Sequence, residues 1–281
     1  MKKVYMNIIA NTYNVAPCDD PIQVVSGDIE VRLARNEEEI KAGQELRYQV
    51  FFKEMGAKPN DAVRIEKRDF DDFDQICDHL LAFDNSKEGS EKVVATYRLL
   101  REELIDQKED FYSSSEFDLT GLYNNHFRGL LGDRQLLELG RSCVKEEYRT
   151  NAVMHLMWKF IARYVDRHKI AYLFGCASLP GTDQAEHQLP LSYLYHKHKT
   201  PDEYNIPAVN GIAQKMDYYN EGDYSGKMAL RALAPLIKGY LRLGCYIGDG
   251  AVIDEQFGTT DVFILLPIDR LESRYLSLWD D

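Results

Sequence analysis

An acid and a base sit three residues apart in an otherwise apolar run, LLELGRSCV (residues 136–144), at Glu138 and Arg141. An ionised carboxylate in such a run is costly to bury alone. Glu138 is therefore expected either to close a buried salt bridge with Arg141 or Arg98, or to act as a general base whose pKa partial burial sets. The run is followed by a polar turn, KEEYRT, and then by a helical stripe. Amides at that helix start, capped by Thr150 or Asn151, together with Arg149, favour an anion such as a phosphate; the helix dipole adds on the order of 0.3–1 kcal/mol. Upstream, Asp69, Asp71, Asp72 and Asp74 alternate with Phe70 and Phe73 in RDFDDFD. This is either a solvated acidic loop or, with the aromatics as anchors, a group of carboxylates turned toward a pocket and able to receive an ammonium. Finally, Lys227, Arg231, Lys238 and Arg242 share a face if their segment is one helix, and no acid occurs between Tyr224 and Gly248. Such a face would dock an acidic protein, rest on anionic lipid, or be an ordinary solvated surface. Pro235 is placed where a second helix could begin.

Other chemistries are disfavoured. His196 and His198 have no third ligand nearby, so no metal site is expected. The nearest approach to a nucleophile elbow, GCASLPG from Gly175, lacks the serine at the required position.

These residues need elements to hold them. The run at 136–144 reads as a strand, where residues three apart point to opposite faces. A bulge at Gly140 would bring Glu138 and Arg141 to one face. The stripe Val153, Leu156, Met157, Phe160, Ile161, Tyr164 and Val165 predicts an amphipathic helix packed on the sheet. Residues 29–34 read as a strand. Asn36 caps a helix with three glutamates in its first turn, which continues through LRYQVFFKEM. Residues 77–83 and 92–100 form a hairpin across NSKEGS. Residues 102–133 read as short helical pieces and loops, 171–177 as a strand beside the central one, and 183–199 as a helix. Strand, helix, antiparallel strands, strand, helix, strand is an α+β order with a mixed sheet rather than a doubly wound one. Residues 1–28 are expected to be an irregular arm and 29–281 a single domain, with a long loop at 199–226 and a C-terminal extension at 227–281.

A net charge of -12 argues against general affinity for nucleic acid or anionic membrane. Cys18, Cys77, Cys143, Cys176 and Cys245 are odd in number, widely spaced and without CxxC, which fits a reducing cytosol better than a disulfide framework. The longest clean apolar run, residues 262–268, is far shorter than the roughly 20 residues that span a bilayer. The N-terminal residues lack the apolar core and cleavage site of a signal peptide.

The series LRYQVF (46–51), RDFDDFDQICDHLL (68–81), TYRLL (96–100), LELGRSCV (137–144), YRT (148–150), FGCASLPGTD (174–183), LIKGYLRLGCYIGDGAVID and FGTTDVFILLP closely resembles the bacterial ornithine N-acyltransferases of ornithine-lipid synthesis. These are hemolysin-like members of the GNAT superfamily. The first four motifs are also similar to acyl-homoserine-lactone synthases. The resemblance implies a GNAT-like, mostly antiparallel sheet flanked by helices, with a C-terminal helix and strand extension. It implies transfer of a 3-hydroxyacyl group from an acyl carrier protein thioester to the α-amino group of ornithine, in the cytoplasm or at the inner membrane surface. The partners implied are the carrier protein and ornithine, with no nucleic acid and no resident cofactor, since the donor rides on the carrier's phosphopantetheine.

By the same resemblance Arg47, Asp71, Asp74 and Arg98 contact substrate, and Glu138 and Arg141 are catalytic. Arg98 or Arg141 would pair with the amino acid carboxylate, and Asp71 or Asp74 would hold the side-chain ammonium. Val144, Arg149, Thr150 and Asn151 would hold the acyl-pantetheine, and amides near Val144 the oxyanion. The basic residues Lys227, Arg231, Lys238 and Arg242 would dock the carrier. One departure is chemically informative: residues 148–153 lack the glycine-rich Q/R-x-x-G-x-G/A loop of coenzyme A-using relatives, and a carrier-borne pantetheine has a single phosphate to bind. Other readings are a different acceptor, such as another amino acid or an S-adenosylmethionine-like molecule, and a membrane-interacting binding protein.

Overall fold

Long buried runs in the sequence become the middle of one sheet. In the computed structural model, which describes residues 13–15, 22–149 and 151–270, nine strands are formed: β1 (Gln23–Ser26), β2 (Ile29–Leu33), β3 (Asp78–Asp84), β4 (Val93–Arg101), β5 (Gln135–Val144), β6 (Ile170–Pro180), β7 (Ala213–Gln214), β8 (Tyr246–Asp254) and β9 (Thr259–Pro267). They lie in the order β1-β2-β3-β4-β5-β6-β9-β8-β7. Every adjacent pair is antiparallel except β5 and β6. All of β3 and β9 is buried, as expected of strands covered on both faces. This is the mixed, mostly antiparallel α+β sheet of a GNAT-like fold.

Alternation sorts side chains between two layers. On one face Leu80, Leu137, Leu173 and Ile264 pack beneath Val153, Met157, Phe160 and Tyr164 of α4 (Asn151–Arg167), the crossover that joins the parallel pair. On the other face Leu136, Phe174, Phe263 and Leu265 meet Phe111, Phe117, Leu122 and Phe127 from the segment between β4 and β5. Leu81 and Phe83 meet Ile40, Leu46, Phe51 and Phe52 there. Those last four come from α1 (Glu37–Arg47) and the π-helical turn that continues it, Tyr48–Glu54. Asn36 caps α1 by accepting from the Glu39 amide at 2.9 Å. The remaining helices are α2 (Asp61–Glu66), α3 (Asn125–Leu131), α5 (Gln184–His198), α6 (Gly226–Ala232) and α7 (Pro235–Leu243).

One expectation is corrected, and one alternative left open by the sequence is decided. The arm expected over 1–28 contains β1, which pairs with β2 across a turn where Gly27 adopts φ 59. The basic segment is two helices, because Pro235 starts α7. Lys227 and Arg231 therefore belong to α6, and Lys238 and Arg242 to α7, so the single helical register that would align all four is broken; Lys238 instead donates to the Arg231 carbonyl at 2.9 Å. Within the expected long loop, Ala213–Gln214 adds the edge strand β7.

At the centre, a Cβ on Gly175 would fall inside van der Waals contact of the Leu139 carbonyl oxygen. Gly175→Ala should therefore lower stability by about 1–3 kcal/mol, measured by chemical denaturation, because a backbone rather than a side chain has to give way.

Candidate active site

β5 and β6 share a ladder only from Gln135 to Glu138, whose partner is Phe174. Beyond that point β5 stays with β4 and β6 stays with β9, so the parallel pair opens like a fork. A cavity of about 500 Å³ occupies the opening, with Glu138, Arg141, Arg98, Tyr112, Cys176 and Tyr240 among its lining.

Glu138 lies where the fork closes and is 4% exposed. Its carboxylate accepts from the amides of Tyr112 at 2.9 Å and Ser113 at 2.7 Å, and from the Ser113 hydroxyl at 2.5 Å. Burial pushes the Glu138 carboxyl up, while Ser113, the Tyr112 amide and Arg98 oppose the rise. A carboxylate offers about four acceptor positions, so three donors leave room for one more proton.

Arg141 shares the cavity with Glu138 because β5 is bulged. Thr96 pairs with Cys143 but Arg98 pairs with Gly140, so β5 carries one extra residue against β4. The left-handed residue is Arg141 itself, at φ 49, one place later than the glycine at which a bulge is expected. That conformation costs a non-glycine residue roughly 1–2 kcal/mol. It persists where surrounding contacts fix the side chain. Arg141 reaches Asp69 at 3.2 Å and Asp71 at 3.3 Å and lies over the rings of Tyr112 and Phe257, at 4.8 and 4.9 Å.

The same aspartates bind two further arginines. Arg47, fully buried, pairs with Asp69 and Asp74, both at 2.8 Å. Arg98, 3% exposed, pairs with Asp71 closely and with Asp74 at 3.6 Å. Asp71 and Asp74 also form a reciprocal capping box over the turn Asp72–Gln75. Burial alone would raise the Asp74 carboxyl; Arg47 and Arg98 outweigh it and hold the group well below the usual carboxylate range.

An acetyltransferase (GNAT) domain family matches residues 46–159, which include both Glu138 and the arginine and aspartate network. The L-ornithine N(alpha)-acyltransferase of Brucella abortus is 47% identical over 255 residues, spanning 90% of this chain and 89% of its own length. Those of Agrobacterium fabrum and Rhizobium meliloti are each 44% identical, covering 90% and 94% of this chain and 85% and 88% of their own lengths. The chain belongs to the L-ornithine N(alpha)-acyltransferase family. As an acyltransferase it has to hold an acyl donor beside a nucleophile, and the fork is where charged and apolar groups converge.

Of the residues singled out by sequence, Glu138, Arg141, Arg98, Val144 and Arg149 line the cavity in the fork. Arg47, Asp71 and Asp74 do not: their charges are spent on one another and on Arg98 and Arg141, so they brace the site from behind. Arg149 stands at the rim, bidentate with Glu54, and its Nε donates to the Val144 carbonyl at 3.0 Å. Thr150 lies outside the described residues. Asn151 begins α4, with nothing described of its side chain. Lys227, Arg231 and Arg242 are exposed, and Leu236 and Tyr240 of α7 carry that helix to the cavity wall.

Sequence reasoning missed Tyr112, Ser113 and Cys176, and a trio of acids, Glu116, Asp254 and Asp261, whose oxygens gather within 4.8 Å. None stands in a periodic pattern that would flag it. Among the described residues no helix is long and apolar enough to cross a membrane.

Replacing Asp74 with Asn removes the negative charge between Arg47 and Arg98 and should cost about 3–5 kcal/mol. Because the Asp74 carboxyl is depressed on folding, its stabilisation is complete above its ordinary value of 3.8 and is lost as pH falls below it. The wild-type urea midpoint should therefore fall below pH 4 more steeply than that of Asp74→Asn.

Proposed function

We propose that this acyltransferase moves a 3-hydroxyacyl group from the pantetheine thioester of an acyl carrier protein to the α-amino group of ornithine, the first step in building an ornithine lipid. The observation that carries this reading is a buried carboxylate at the closed end of a strand fork, beside two guanidiniums. A thioester arm entering the fork meets the backbone of β5 on its β6 side, where residues 139–144 have no β6 partner. Those groups can pair with the amides of pantetheine as a strand would. Val50, Phe51, Met55, Leu139, Leu236 and Phe257 supply apolar wall for the acyl chain. Arg149 at the rim is the cation for the single phosphate, exchanging Glu54 for it.

The chemistry follows from the groups present. The acceptor reacts as the neutral amine, and Glu138 takes a proton from its nitrogen, directly or through one water, as the C–N bond forms; burial makes Glu138 a stronger base than an exposed glutamate. That bond forms at the carbonyl carbon of the thioester, with amides near Val144 receiving the oxyanion. The C–S bond breaks, and the thiolate leaves with the proton that Glu138 held, giving one amide and one thiol. Arg98 and Arg141 face the acceptor's carboxylate. The exposed cations of α6 and α7 suit the acidic surface of a carrier protein, in the cytoplasm or at the inner membrane.

Incubation with 3-hydroxyacyl carrier protein and a panel of amino acids, read by mass spectrometry, should give N-acylornithine as the main product. A main product on another acceptor, or none, overturns the assignment. Since burial raises Glu138 above its ordinary 4.5, the acidic limb of kcat/KM should lie above pH 4.5.

A further inference from the structure

We propose that Glu116, Asp254 and Asp261 form the subsite that receives the side-chain ammonium of the acceptor amino acid. The inference rests on the acyl transfer to ornithine proposed above and assigns the group that distinguishes ornithine from a neutral amino acid. The three carboxylates come from separate elements: Glu116 follows the turn Tyr112–Ser115, Asp254 ends β8, and Asp261 is in β9. One oxygen from each lies within 4.8 Å of the others. Asp254 and Asp261 line the same cavity as Glu138.

The independent sign of a missing ligand is Asp261. It is 6% exposed, yet its Oδ1 has no hydrogen-bond partner. A buried carboxylate oxygen left without a donor is costly, and a cation entering the cavity would satisfy it. Burial, and after it the charge of Asp254, push Asp261 up against the opposing hydroxyls of Ser178 and Thr259, and burial followed by the charge of Asp261 pushes Glu116 up to about 7. The group thus lacks positive charge although Arg141 is near. Of the acids lining the cavity, Glu54 is engaged by Arg149 and Glu138 by Tyr112 and Ser113, while Asp254 accepts from the amides of Gln256 and Phe257 through Oδ1.

Placement agrees with an amino acid bound at both ends. Ser113 donates to Glu138, Cys176 is 3.4 Å from the Ser113 hydroxyl, and the Cys176 thiol donates to Glu116 at 3.3 Å. Two small side chains therefore separate the proposed base from the trio, and the two nitrogens of extended ornithine lie about 6 Å apart. An ammonium has three N–H donors for three carboxylates. Ca²⁺ or Mg²⁺ would ask for about six oxygens.

The test compares ornithine with norvaline, which has the same carbon chain and no side-chain amine, in the wild type and in Glu116→Gln, Asp254→Asn and Asp261→Asn. We expect the wild type to favour ornithine in kcat/KM and each variant to lower that preference roughly 10- to 100-fold, mainly through the KM for ornithine. Thermal melts identify variants that fail to fold, and Asp254→Asn, the least buried change on β strands, keeps the comparison available. An unchanged ornithine-to-norvaline ratio in folded variants overturns the subsite while leaving ornithine acylation intact. Loss of activity with a chelator, restored by a divalent cation, overturns it in favour of a metal. Failure of the wild type to acylate ornithine overturns the functional reading itself, and the subsite with it.

Discussion

Three arginines and three aspartates, interlocked behind the fork, are the constraint on which the site depends. Arg47, Arg98 and Arg141 come from α1, β4 and β5, and Asp69, Asp71 and Asp74 from the short segment between α2 and β3. Withdrawing any of these ions from water is unfavourable, and their mutual attraction offsets that cost only if all are positioned together. The network therefore acts as a joint. It ties α1 to the sheet, fixes the loop, and holds Arg141 in the left-handed conformation that bulges β5.

The bulge, in turn, decides what the cavity contains. A regular β5 would send Arg141 to the face opposite Glu138. With the extra residue, acid and guanidinium meet at the fork, and Tyr112 and Ser113 close over the acid from the layer that packs on that face of the sheet. Burial shapes the chemistry: Glu138 is raised by desolvation, while Asp74, equally buried, is depressed by two guanidiniums. Two buried carboxylates of one protein are thus shifted in opposite directions by their neighbours.

Much of this was readable from residue patterns. The apolar run around Glu138, the stripe of α4 and the hairpin of β3 and β4 are dictated by periodicity, which is local. The need for a bulge followed from geometry; its left-handed residue is one place later, at Arg141, where ion pairs invisible in sequence hold the strained side chain. Edge strand β1 was hidden by its length and by having one buried residue, Val24, among its four. Asp71 and Asp74 looked available to an ammonium because sequence does not reveal which acids already face arginines. The trio of Glu116, Asp254 and Asp261 was beyond reach for the converse reason: only the register of β8 on β9 and the fold of the loop before Phe117 bring those residues together.

Glu138 as the acceptor of the amine proton is the central claim, and single-turnover acylation by Glu138→Gln, with donor and ornithine saturating, tests it most directly. The account predicts a rate roughly 100- to 10,000-fold below wild type, with the pH dependence assigned to Glu138 abolished. An undiminished rate across the pH range would contradict it.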